Sequence, residues 1–280
     1  MYEVLNIKKK EKNLESFLCK NRVCLEDIKS KVKRVFASDC AFIGGSIIYG
    51  INNIYSDIDV LVVVESDEEE KPAQLTQLDI EKMRLDCRTI SRTRIKSAIE
   101  NINNKSKIII EGKNPFRIGL KSDIHEALDR VSNGISLYEN PFMNDGFEHK
   151  LALILTYDRI NDYFGLYQDA VGALYTNQIY YAFTRTLECA AKIVDIFLSS
   201  NGYINASVKT RILALELYYN GDKITKWYKE FIEEFNFKDN VNLVIEKRLK
   251  EMNLMIIDLQ LKKLNMIKEI KNGTGLCLES

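Results

Sequence analysis

Asp57 and Asp59 stand two residues apart in the stretch SDIDVLVVV, Ser56–Val64. In an extended strand that spacing projects both side chains from one face, so two negative charges come close together. The second aspartate also lies inside an apolar run, where burying it without a partner would be costly. A divalent cation relieves both problems, and hard oxygen ligands select magnesium or manganese rather than zinc. Asp86 belongs to a second alternating stretch, with Met83, Leu85 and Cys87 on one face and Arg84, Asp86 and Arg88 on the other. Should that strand lie beside the first, three carboxylates suffice to hold two metal ions about 4 Å apart. Standing elsewhere, Asp86 between two arginines would belong to a solvated ion-pair ladder.

Upstream, the run FIGGS ends on Gly44, Gly45 and Ser46. Glycines let a backbone approach a ligand, and a serine at a helix start offers amides and a hydroxyl to phosphate oxygens. Metal-binding carboxylates beside a phosphate-binding turn imply a nucleoside triphosphate. The chain contains neither GxxxxGK[ST] nor GxGxxG, which excludes a Walker-type phosphate loop and a dinucleotide fingerprint.

These residues need a scaffold. Leu25, Ile28, Val32 and Val35 recur at three- and four-residue steps, predicting a helix over Val23–Phe36. CAFI at 40–43 predicts a short strand, Ser46 towards Asn52 a brief helix, and Ser56–Val64 a strand. ESDEEEKPAQ reads as an acidic loop, Lys82–Ile90 as a strand, and KIIIEG at 107–112 as a further strand. Beyond it strand signal almost vanishes, and helix formers and tyrosines take over near Pro141. The expected organisation is a mixed α/β domain over residues 1–140 and a helical domain over 141–280. In the last segment Ile245, Leu249, Met252, Ile256 and Leu259 predict a long amphipathic helix packed against its own domain.

A chain of 280 residues, 46% of them hydrophobic, can bury the cores of two modest domains. Forty basic and forty acidic residues leave no global field to recruit nucleic acid. No segment has the length needed to cross a bilayer. The six cysteines, at 19, 24, 40, 87, 189 and 277, show no metal-ligand spacing, and only His125 and His149 are there to assist them. They read as reduced thiols of a cytoplasmic protein, mostly core filler. The histidines read as incidental.

The whole run GGSIIYGINNIYSDIDVLV resembles the signature of the polymerase-β-like nucleotidyltransferase superfamily, with Gly50 and Ser56 also in pattern and Asp86 matching the third carboxylate. That resemblance implies an α+β fold, a mixed sheet with flanking helices, followed by an all-α helical bundle for acceptor binding and dimerisation. It assigns Asp57, Asp59 and Asp86 to two magnesium ions, and Gly45, Ser46 and Ser56 to the triphosphate. One departure is Tyr49, where many members carry a basic residue, so the triphosphate must find its cation elsewhere. LECAAK, Leu187–Lys192, resembles the glutamate-x-x-x-lysine helix of the kanamycin nucleotidyltransferase branch. Carried over, Glu188 is the base for an acceptor hydroxyl and Lys192 a triphosphate ligand. By spacing alone, the two would equally well form an ion pair on an exposed helix.

The function implied is magnesium-dependent transfer of a nucleoside monophosphate, AMP from ATP favoured, to a hydroxyl of a small molecule. By resemblance the favoured acceptor is an aminoglycoside-type antibiotic and the assembly a homodimer with shared active sites. The competing readings are a protein-modifying enzyme of the antitoxin type and a catalytically silent binding module. Tyr157, Tyr163, Tyr167, Tyr175, Tyr180 and Tyr181 with Asp158, Asp162 and Asp169 form either an acceptor pocket or a set half core and half solvated face.

Overall fold

The computed structural model describes residues 7–53, 55–65, 74–113, 122–142, 146–204, 208–234 and 241–273. The chain divides into two compact units, Met1–Lys107 with Gly119–Glu148, and Ile108–Ile118 with His149–Ser280. In the first, α1 (Ile7–Asn21) and α2 (Leu25–Phe36) precede β1 (Ala41–Gly44) and β2 (Ile58–Val64). Then come β3 (Gln74–Ile80), β4 (Met83–Ser91), α3 (Arg92–Ile110, in this unit as far as Lys107), α4 (Ser122–Asn133) and β5 (Ile135–Ser136). The sheet runs β3-β4-β2-β1-β5, with β2 and β4 parallel and the other pairs antiparallel. The fold class is therefore α+β. Ile58 and Val60–Val63 are buried, as the near-continuous apolar sequence of a central strand requires. Ser38 pins the start of β1 to this strand, its hydroxyl donating to the Val63 carbonyl at 2.6 Å.

Several elements differ from the sequence expectation, among them the two-residue strand β5 and the start of β2 at Ile58 rather than Ser56. KIIIEG does not form a strand: Ile108–Ile110 end α3, which starts with Ser91 Oγ accepting from the Arg94 N–H at 3.2 Å. Ile95, Ile99 and Ile102, buried at helical spacing, carry the helix into the isoleucines, so tertiary packing overrides their strand preference. The brief helix expected from Ser46 is a turn, closed by Gly50 N–H to Ile47 C=O at 3.0 Å and Ile51 N–H to Ser46 C=O at 3.1 Å. Gly50, with φ at 68°, prevents its extension. β3, an edge strand with mostly exposed side chains, was not anticipated; most of the acidic stretch before it lies outside the described residues. Of the cysteines, Cys40, Cys87 and Cys189 are buried, whereas Cys19 and Cys24 are exposed and Cys277 lies outside the described residues.

The second unit is helical. It contains α5 (Phe147–Tyr175) from His149 onward, α6 (Ile179–Ser200), α7 (Val208–Tyr219), α8 (Lys223–Glu234) and α9 (Val241–Gly273). α6 packs against α7, α8 and α9, and its residues 193–200 are buried all round. On α9 the predicted stripe Ile245, Leu249, Met252, Ile256 and Leu259 faces the core. A buried pair, Arg211 to both Asp195 oxygens at 2.7 and 3.0 Å, satisfies the charges this core encloses. Among the described residues no helix is long and apolar enough to cross a membrane.

Candidate active site

Gly44 and Gly45 leave β1 into a turn whose next three residues, Ile47, Ile48 and Tyr49, are buried. Their burial anchors the turn from below, and two helices fasten it. Asn13 of α1 donates to the Ile48 carbonyl at 3.0 Å, and the Tyr49 hydroxyl donates to Asp129 of α4 at 2.8 Å. Gly45 has φ at 73°, and a Cβ there would fall 2.1 Å from Asp59 Oδ2. The glycine thus lets the turn lie directly against the second aspartate. Ser46 and Ser56 approach each other at 3.5 Å between hydroxyls, and Ser56 Oγ accepts the Asn53 N–H at 2.9 Å, so the chain returning to β2 is tied to the turn.

The parallel pairing of β2 with β4 sets Asp59 opposite Asp86. Asp57 stands one residue before β2 begins. Arg84 bridges two of the three, contacting Asp57 through Nη2 and Asp86 through Nε, the latter at 3.0 Å, while Arg130 of α4 donates to Asp59 Oδ1 at 3.1 Å. Gln77 of β3 adds a bond to Asp86 at 3.3 Å. Arg88 reaches instead to Glu126 of α4. The two main arginines differ in kind: the Arg84 side chain is 45% exposed, that of Arg130 only 8%. Desolvation raises the Asp59 pKa, Arg130 works against that rise, and the negative charge of Asp86 adds to it.

Behind the turn lies a buried polar group that sequence reasoning missed. Asp129 accepts from Tyr49 and from Asn133, and Asn133 accepts from Lys10 of α1 at 3.2 Å. Burial raises the Asp129 pKa and lowers that of Lys10 to about 8. The only signal in the sequence was the spacing of Glu126, Asp129, Arg130 and Asn133 on one helical stretch, far from the signature itself.

Glu188 and Lys192 lie one turn apart on α6 and do not pair with each other. Glu188 binds Arg185, whose guanidinium also stacks over the Tyr181 ring at 4.8 Å, and Lys192 binds Asp162 of α5 at 3.2 Å. Both are accessible to solvent, Glu188 with 44% of its side chain exposed. Of the tyrosines, Tyr163 is core, while Tyr175 and Tyr180 are almost fully exposed.

As they stand, no three His, Cys, Asp or Glu side chains among the described residues form a cage for a metal ion. The donor set nevertheless fits magnesium: Asp59 and Asp86 face each other on adjacent strands, Asp57 stands one residue before β2, and Asp57 and Asp86 already share one cationic group in Arg84. Asp57, Asp59 and Asp86 would hold the ions.

Residues 24–118 match the family model described as nucleotidyltransferase domain. Among solved structures the chain is matched to a nucleotidyltransferase-like protein from Exiguobacterium sibiricum 255-15, with a TM-score of 0.49 and 11% identity over 88% of this chain and 80% of that one. No curated protein matches the chain.

Proposed function

We propose that this chain, whose residues 24–118 match the nucleotidyltransferase domain model, is a nucleotidyltransferase that uses a nucleoside triphosphate and moves AMP from ATP to a hydroxyl of a small molecule. An aminoglycoside-type antibiotic is the favoured acceptor. The observation that carries the site is the register of Asp59 against Asp86, with Gly45 seated on Asp59. It supports a shared face for metal and triphosphate. Magnesium held by Asp57, Asp59 and Asp86 would neutralise charge on the triphosphate and on the attacking oxygen.

The remaining roles fall to side chains. Gly45, Ser46 and Ser56 cradle the β- and γ-phosphates, and Lys192 adds a cation to the same group. The acceptor oxygen forms a bond to the α-phosphorus as the bond to the bridging oxygen of the β-phosphate breaks, and pyrophosphate leaves. The hydroxyl proton passes to the Glu188 carboxylate, a general base supplied by the helical half, residues 141–280. That half, with its long amphipathic α9, serves in this proposal for acceptor binding and assembly into a homodimer with shared sites.

Labelled ATP, magnesium and a panel of aminoglycosides and lincosamides, read by mass spectrometry, test the acceptor class. An adenylylated antibiotic is the expected product. Labelling of protein alone would refute the small-molecule reading. The shared site is tested by co-expressing Asp86→Asn with Glu188→Gln chains, where hybrid dimers should regain one intact site in two, about a quarter of all sites under random exchange.

A further inference from the structure

The turn carries no basic residue of its own: Tyr49 is buried and donates its hydroxyl to Asp129. A positive charge lies under it all the same. Arg130 rises from α4 so close to Gly44 that a Cβ there would meet its Cγ at 2.6 Å, its Cδ at 3.2 Å and its Nε at 3.3 Å. The missing Gly44 side chain is the space through which this arginine passes. Its backbone is fastened as well, the Arg130 carbonyl accepting the Gly134 N–H at 2.8 Å. A Cβ on Gly134 would stand 2.3 Å from that carbonyl oxygen. At its far end Nη2 donates to Asp59 Oδ1 at 3.1 Å, while Nη1 is buried and has no hydrogen-bond partner.

An arginine side chain only 8% exposed, with one nitrogen unsatisfied, is an expensive way to fill the space beneath a turn. An apolar side chain would serve packing better. We propose that Arg130 is the resident cation of this site, holding Asp59 through Nη2 and giving the Gly44–Gly45–Ser46 turn the positive charge that attracts a triphosphate. The proposal rests on the nucleotidyltransferase reading and extends it to a residue outside the signature. In the free protein Asp59 offsets the guanidinium. Once the negative charge of Asp59 is shared with a divalent ion, the Arg130 charge acts on whatever lies across the glycine backbone. Metal and triphosphate therefore favour each other through Arg130 as well as by direct contact, and the effect is reciprocal.

Calorimetric titration of inorganic tripolyphosphate and of α,β-methylene-ATP, each with and without manganese, tests this without turnover. Wild type, Arg130→Gln and Arg130→Lys are compared, with circular dichroism and melting curves establishing that each is folded. Loss of the charge in Arg130→Gln should weaken manganese-dependent tripolyphosphate binding about tenfold, within the usual range of coupling between sites. Arg130→Lys, which keeps the charge, should stay within about threefold. A folded Arg130→Gln protein that binds tripolyphosphate as wild type does would overturn the proposal and leave the nucleotidyltransferase reading standing. Wild type that binds neither ligand with manganese present would sink that reading itself. Should Arg130→Gln fail to fold, Arg130→Lys decides: retained affinity supports the charge role, and a tenfold loss refutes it.

Discussion

Gly45→Ala concentrates the geometry of the site in one methyl group. At φ of 73° an alanine must adopt the left-handed region, at roughly 1–2 kcal/mol. Its Cβ would also stand 2.1 Å from Asp59 Oδ2, so the carboxylate must retreat by more than about 1 Å to reach ordinary contact. Retreat strains the bond to Arg130 and removes Asp59 from its place opposite Asp86. Backbone strain and repacking together should destabilise the unit by roughly 2–4 kcal/mol, a melting shift on the order of 5–15 °C. A catalytic group misplaced by about 1 Å costs on the order of a hundredfold in rate. The assay is nucleotide transfer at a temperature where the variant is fully folded, alongside thermal denaturation. Gly165→Ala, an exposed helical position where a Cβ meets nothing within 4 Å, is the control and should be neutral or slightly stabilising. A Gly45→Ala protein with transfer within about threefold of wild type would show that Asp59 need not sit against the turn.

Asp57→Asn and Asp59→Asn should both abolish transfer, but only the second should lower the melting temperature, because it leaves the buried Arg130 facing a neutral amide; equal stability of the two would contradict the Arg130 pairing. Glu188→Gln should cut turnover by about a hundredfold or more with nucleotide binding retained, whereas Lys192→Ala should weaken nucleotide binding; turnover within about twofold for Glu188→Gln removes it as the base. Lys10 gives a pH signature. Its folded pKa of about 8 lies below the ordinary 10.5, so between those values the unfolded chain holds more protons and stability rises with pH. Denaturant unfolding from pH 7 to 9.5 should show that rise in wild type and lose it in Lys10→Met, the tyrosines common to both cancelling in the difference; parallel curves would refute it.

What was legible in the sequence was what is local. Gly45, Ser46, Asp57 and Asp59 lie within fifteen residues, and strand alternation put Asp86 on the correct face before any pairing was known. Whether β4 lies beside β2 was left open by the sequence, and the register supplies that adjacency as a parallel pair. What escaped was contact across distance. Arg130 meets Asp59 only because α4 returns beside β1, and nothing in DIHEALDRVSN distinguishes that arginine from a surface one. The isoleucines at 108–110 misled because their strand preference is intrinsic while the helix is imposed by neighbours. Glu188 and Lys192 suited each other by spacing, yet Arg185 and Asp162 outcompete that pairing from positions the spacing rule ignores.

The seven paired positions of β2 and β4 also make the carboxylate arrangement an integer quantity. Side chains alternate, so sliding β4 by a single residue would exchange Asp86 for Leu85 or Cys87 on the open face and thrust a charge into the core. No graded drift connects the two states. Single deletions between Glu81 and Asp86 therefore either restore the frame by rebuilding the turn or erase the site. Changes of length between Val64 and Gln74 leave the frame untouched, because the buried Leu85, Cys87 and Ile90, not the connection, hold β4 in step. Descendants of this chain can vary freely in one connection while a neighbouring two-residue turn stays constant in length.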